Sequence, residues 1–122
     1  MRILIIEDEA YVAQMLADSL RVQGHEPITA LNASEGLALF DREQPEAVFL
    51  DLVMPGVSGL EALRRIRERA PSLPVVVVTG CGTPSEIEEA YRLGVTEVIE
   101  KPFVLRRLEA TLSAIGPRRP RG

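Results

Sequence analysis

Glu7, Asp8, Asp51, Thr79 and Lys101 are the residues of this chain whose types could together do chemistry. Three carboxylates in one crevice would repel each other and hold on to protons unless a cation neutralised them. Oxygen ligands that leave coordination positions open suit a hard divalent ion, and Mg²⁺ beside a phosphoryl group is the usual case. A lysine supplies a compact positive charge for phosphate oxygens, and a threonine hydroxyl supplies a hydrogen-bond donor. A carboxylate nucleophile, a divalent ion, an ammonium and a hydroxyl are the parts that aspartyl-phosphate chemistry needs. Each residue alone also has a bland reading: Asp51 could simply cap a loop, because aspartate is common at strand ends.

Whether these residues meet depends on the elements that carry them. Ala47 to Leu50 is an apolar run of strand length that delivers Asp51 to its end and breaks at Pro55-Gly56. Ser58-Gly59-Leu60-Glu61 then reads as a capping box, with Leu60, Leu63 and Ile66 at helical spacing. Ile3 to Ile6 is too apolar to have a solvated face and predicts a central parallel strand ending at Glu7-Asp8-Glu9. Val12, Leu16 and Leu20 mark the next helix, stopped by Gly24. Glu26 to Ala30, of mixed composition, predicts an edge strand. Asn32 with Glu35 would cap a helix packing through Ala33, Leu37 and Phe40, closed by Pro45.

Beyond the loop bracketed by Pro71 and Pro74, Val75 to Val78 is a β-branched run ending at Thr79. Thr83-Pro84-Ser85-Glu86 is a strong helix start, followed by Ile87, Ala90 and Tyr91 as the expected inner face and Gly94 as the stop. A short strand, Glu97 to Ile99, leads to Glu100-Lys101-Pro102. A last helix carries Leu105, Leu108, Leu112 and Ile115 and ends at Gly116-Pro117. Five strands alternating with five helices predict an α/β fold with a doubly wound parallel sheet. Right-handed crossovers bring the C-terminal strand ends to one edge, where open sheets bind ligands. Glu7 and Asp8, Asp51, Thr79 and Lys101 collect there from four different strands.

Composition narrows the class further. A chain of 122 residues, 46% apolar and 26% charged, fits one soluble domain with its own core. No apolar run has membrane-spanning length and no signal-peptide pattern opens the chain, so a cytoplasmic location is expected. Cys81, the single cysteine, cannot form an internal disulfide, which fits a reducing compartment. A net charge of −4, from 14 basic and 18 acidic residues, argues against this domain gripping nucleic acid directly.

Taken together, Ile-Ile-Glu-Asp-Glu, Phe-Leu-Asp-Leu-Val-Met-Pro-Gly-Val-Ser-Gly, Val-Val-Val-Thr-Gly and Glu-Lys-Pro-Phe resemble the receiver domain of bacterial two-component response regulators. The order and strand-end placement of these pieces make the match specific, over roughly residues 2–115. The resemblance implies a flavodoxin-like sheet in the strand order 2-1-3-4-5. It implies Asp51 as the phosphoacceptor, and a Mg²⁺ site made by Glu7, Asp8, Asp51 and the backbone carbonyl of Val53. Thr79 would be the switch hydroxyl and Lys101 the lysine that pairs with the phosphoryl group, with Lys101-Pro102 a cis bond. The implied phosphodonor is a histidine kinase or a phosphotransfer protein, and the implied state is a monomer or a phosphorylation-dependent dimer. Residues 1–116 would form the domain, with 117–122 a basic, proline-rich tail or the start of a linker. The sequence departs from the family at Val98, where an aromatic ring is usual.

Other classes remain in view. A phosphohydrolase working through an aspartyl phosphate would want a second acid where Val53 stands. A flavodoxin-like electron carrier would want a phosphate-cradling loop where Glu7-Asp8-Glu9 stands. A degenerate receiver would bind partners unphosphorylated, but these acids, Thr79 and Lys101 are intact. His25, the only histidine, reads as an exposed loop residue with no phosphodonor role, and Cys81 as unreactive for want of a basic neighbour.

Overall fold

Strands β1 (Arg2–Ile6), β2 (Glu26–Ala30), β3 (Ala47–Asp51), β4 (Val75–Thr79) and β5 (Glu97–Glu100) alternate with five helices. The helices are α1 (Ala10–Val22), α2 (Ala33–Glu43), α3 (Gly59–Arg69), α4 (Pro84–Arg92) and α5 (Val104–Ile115). The computed structural model describes residues 1–54, 58–80, 82–101 and 104–115, with 104 and 105 as backbone alone. The expected Pro55-Gly56 turn, the cis Lys101-Pro102 bond, Cys81, the Leu105 side chain, the Gly116-Pro117 stop and the 117–122 tail lie outside the described residues. All pairings are parallel, in the order β2-β1-β3-β4-β5. The doubly wound, flavodoxin-like sheet is therefore as the sequence predicts. No helix among the described residues is long and apolar enough to cross a membrane.

The apolar strands bury both faces. Leu4, Val48, Leu50, Val75 and Val77 pack on one side with Leu37, Phe40, Leu63 and Ile66 of α2 and α3. Ile3, Ile5, Phe49, Val76 and Val78 pack on the other with Leu16, Leu20, Leu108 and Leu112 of α1 and α5. This is why β1, β3 and β4 read as unbroken apolar runs rather than alternating ones. On α1, Ala13 and Ala17 accompany Leu16 and Leu20 inside, while Val12 is only partly covered. Tyr91 does not pack inward as expected. It is 53% exposed, because α4 turns Ala90 into the core instead. His25 is half-buried rather than exposed, with Nδ1 3.0 Å from the Met1 amino nitrogen. Burial first, then that neighbouring charge, lower its proton affinity.

The helix starts follow the sequence with one variation. Thr83 and Glu86 form a complete capping box. Ser58 accepts from the Glu61 N–H, but the Glu61 carboxylate goes to Arg65 and Arg64 instead of returning to the cap. Gly24 and Gly94 stop α1 and α4 with φ of +89° and +77°, values that side-chain-bearing residues rarely adopt.

Arg67, which has no acid partner among the described residues, joins α3 to α4. Arg67 Nε donates to Leu93 O at 2.6 Å and Nη2 to Gly94 O at 2.9 Å, where α4 ends. Nη1 donates to Ala70 O at 3.1 Å and Leu73 O at 2.7 Å, where α3 ends and the chain turns toward β4. The planar fork thus satisfies carbonyls that helix ends leave unpaired, and its charge complements both helix dipoles. Replacing Arg67 with Met should cost about 2 kcal/mol in urea unfolding, and Lys should recover only part of it. A loss under about 0.5 kcal/mol for Arg67→Met would show that these bonds contribute nothing net.

Candidate functional site

The parallel register sets the height of every strand end. Ile6 pairs with Leu50, Asp51 with Val78, and Thr79 with Glu100. The residues that follow β1 and β5 are Glu7 and Lys101, so both arrive beside Asp51. The chain after Asp51 returns tightly: a methyl group at Gly59 would lie 2.3 Å from the Asp51 carbonyl oxygen and 2.4 Å from Leu52 Cα. Only glycine lets α3 begin this close, with its N–H bonded to Leu52 O at 3.1 Å. At the fifth strand, Glu97 accepts from Thr111 Oγ1 at 2.9 Å and from Arg107 Nε at 2.7 Å, fixing α5 against β5 below Lys101.

Glu7, Asp51 and Thr79 are buried, at 2%, 1% and 2% exposure. Asp8 is half-buried. One oxygen of each of Glu7, Asp8 and Asp51 lies within 4.8 Å of the others. Lys101 Nζ donates to Glu7 Oε2 at 3.0 Å and to Glu9 Oε1. It also lies 3.0 Å from Asp51 Oδ2, at ion-pair distance but without hydrogen-bond direction. Two of the three ammonium N–H donors are thus directed at carboxylates, with Asp51 close to the third. Backbone donors orient the acids: Val53 N–H donates to Asp51 Oδ1 at 3.0 Å, and Glu9 N–H to Glu7 Oε2 at 2.9 Å.

Of the four buried side-chain polar atoms without a hydrogen-bond partner among the described residues, three are here: Glu7 Oε1, Asp51 Oδ2 and Thr79 Oγ1. Buried acceptors left unsatisfied are costly. Two such oxygens, with Asp8 beside them, form a donor set that fits a hard divalent cation and leaves room for further oxygen ligands. Thr79 makes no bond to the acids, but its hydroxyl ends the neighbouring strand with its donor unused.

The charges respond to one another. Burial pushes Glu7 up to about 7, with the Asp51 charge adding to it and the Glu9 N–H and Lys101 opposing. Burial raises Asp51 as well, with Asp8 adding and Val53 N–H and Lys101 opposing. For Lys101 burial disfavours the ammonium, but Glu9, Asp51 and Glu7 outweigh it and hold the group above the ordinary lysine range.

The structure therefore brings Glu7, Asp8, Asp51 and Lys101 together and sets Thr79 at the adjoining strand end. Val53 is 43% exposed and binds Asp51 through its N–H. Glu9 is the participant that sequence reasoning passed over. Its signal was a third acid in Glu7-Asp8-Glu9, read only as the end of a strand.

These shifts predict how stability varies with pH in the absence of metal. Unfolded carboxylates ionise near 4.5, while folded Glu7 holds its proton to about 7. The folded state then binds more protons between those values, so stability falls as pH rises through that window. Urea unfolding should show a loss of up to about 3 kcal/mol between pH 4.5 and 7.5, and Asp51→Asn should shrink it. A parent whose stability climbs over this range would contradict the burial of uncompensated acid.

Comparison with known proteins gives a consistent result. A family model described as the response regulator receiver domain matches residues 3–113. The phosphate regulon transcriptional regulatory protein PhoB of Pseudomonas aeruginosa is 33% identical over 115 residues, covering 93% of this chain and 50% of that protein. A response regulator receiver domain protein from Clostridium thermocellum superposes with a TM-score of 0.86 at 32% identity, covering 93% of both chains. The chemotaxis protein CheY4 of Vibrio cholerae gives a TM-score of 0.86 at 26% identity, covering 93% of this chain and 97% of that one. The chain spans about half the length of the curated relatives it matches.

Proposed function

This chain belongs to the response regulator receiver family, and on that premise we propose that Asp51 is the residue that takes the phosphoryl group. Receivers are the switches of two-component signal transduction, phosphorylated on an aspartate by a histidine kinase. The observation that carries the assignment is the crowding at Asp51: a buried carboxylate with one oxygen that accepts no hydrogen bond, two further acids within 4.8 Å, and one lysine shared among them.

In this reading Glu7, Asp8, Asp51 and the Val53 carbonyl hold Mg²⁺. A bound ion would supply positive charge against these acids and against the phosphoryl oxygens. Val53 N–H keeps the Asp51 carboxylate oriented through Oδ1, and Oδ2, free of hydrogen bonds, attacks phosphorus. The P–N bond of the donor phosphohistidine breaks as the O–P bond forms, and the departing imidazole takes a proton from water. Lys101 turns its ammonium to a phosphoryl oxygen. Thr79 donates its unused hydroxyl to another, which draws the loop before α4 inward. Water later cleaves the acyl phosphate and resets the switch. Val98 packs among the partly buried side chains on the α2–α3 side of the sheet, so the signal leaves mainly through Thr79 and the segment after it.

The donor is a histidine kinase or a phosphotransfer protein, and the output belongs to an effector. The family match over residues 3–113 supports residues 1–116 as the domain, with 117–122 a basic, proline-rich tail or part of a linker. The net charge of −4 favours an output through protein contact over direct nucleic-acid binding. A cytoplasmic monomer, or a dimer formed on phosphorylation, fits this role.

Acetyl phosphate with Mg²⁺ should add one phosphoryl group to the protein, seen by intact mass, and Asp51→Asn should abolish the adduct. Equal labelling of that variant would remove Asp51 as acceptor. The same samples report lifetime. Val53 offers an attacking water no side-chain hydrogen bond, so Val53→Asn should speed phosphoryl loss about tenfold, the effect of one contact of ~1.4 kcal/mol. Unchanged decay would show that residue 53 does not control the lifetime.

A further inference from the structure

We propose that Glu9 is a positioning residue that tethers Lys101 in the resting protein and competes with the phosphoryl group for it. This rests on the acceptor reading of Asp51. Glu9 stands at the N-cap of α1 in extended conformation, yet its side chain makes no bond to the helix. Its carboxylate crosses instead to Lys101 Nζ, on the far side of the sheet edge. Its backbone N–H meanwhile holds Glu7 Oε2 at 2.9 Å, so one residue organises both an acid and the lysine.

The geometry makes Glu9 a competitor. Lys101 has one ammonium, and Glu7, Glu9 and Asp51 all contact it. Glu7 and Asp51 are buried and belong to the donor set at the metal position. Glu9 is 58% exposed at its side chain and lies outside that set, so its contact serves the lysine alone. Lysine carries a point charge on a flexible stem and can exchange one oxygen partner for another. An ammonium carries three N–H donors, and with Glu7, Glu9 and Asp51 all in contact a phosphoryl oxygen competes with these carboxylates, of which Glu9 is the exposed one. The tether raises the threshold of the switch, leaving an unphosphorylated site with its lysine already occupied.

The consequence is read with beryllofluoride, a phosphoryl stand-in, in the presence of Mg²⁺. Glu9→Gln removes the charge at nearly constant size. It should tighten beryllofluoride binding about fivefold, which corresponds to ~1 kcal/mol, a reasonable scale for an ion pair with one exposed member. Glu9→Asp separates a tether from a mere field effect. Aspartate keeps the charge but loses a methylene of reach, and at an N-cap it bonds the helix N–H groups instead. A tether predicts that Glu9→Asp behaves like Glu9→Gln, whereas through-space charge predicts that it behaves like the parent. NMR of the Lys101 ammonium supplies a second readout. Its signal should be protected from exchange in the resting parent, weakened in both variants, and equal in all three once beryllofluoride is bound.

Unchanged affinity in both variants, or a Glu9→Asp protein indistinguishable from the parent, would overturn the proposal while leaving Asp51 as acceptor. A parent that binds no beryllofluoride would overturn the acceptor reading, and the tether with it.

Discussion

One ammonium shared among three carboxylates sets the electrostatics at the C-terminal edge of the sheet. Lys101 contacts Glu7, Glu9 and Asp51, while Asp8 stands beside them with no lysine of its own. Two of these acids are almost wholly buried. Burying a carboxylate is costly unless it is paired and hydrogen-bonded. The protein meets that requirement in part, with backbone donors at Asp51 Oδ1 and Glu7 Oε2, and leaves Glu7 Oε1 and Asp51 Oδ2 unsatisfied. Such an imbalance stores a demand for positive charge at one point of the surface. A divalent ion and a transferable phosphoryl group are the ligands that answer it on the proposed reading.

The scaffold exists to hold that imbalance in place. Apolar strands buried on both faces lock the register, and the register decides which residues stand level at the sheet's edge. Gly59 lets α3 start against the backbone of Asp51 and Leu52. Arg67 ties the far ends of α3 and α4 together, away from the site. The free donor of Thr79 and the capped start of α4 at Thr83 therefore lie at the end of α4 that Arg67 does not hold. A signal that leaves through Thr79 would bend the structure where it is least tied.

Much of this was legible in the sequence because the strong signals are local. Unbroken apolar runs gave the central strands, Thr83-Pro84-Ser85-Glu86 gave the start of α4, and the acids and lysine at strand ends gave the site. What escaped was decided by geometry between elements. Tyr91 has helical spacing with Ile87 but lies where α4 turns outward, and spacing alone does not tell a one-residue rotation of a helix face. The Glu61 carboxylate had two arginines within reach and went to them rather than to its cap. Glu9 was overlooked because its partner is 92 residues away in sequence. No pattern within a single segment announces such a contact.

On the proposed reading, uncompensated buried acid makes this edge of the sheet a cation site. Proton release on Mg²⁺ binding tests it most directly, by calorimetry at pH 6.5 in buffers of different ionisation enthalpy. Glu7 holds its proton up to about 7 without metal, and ligating carboxylates must give theirs up. One bound ion is expected, with release of a sizeable fraction of a proton that diminishes in Glu7→Gln. Binding with no proton release, or no saturable binding at all, would contradict it.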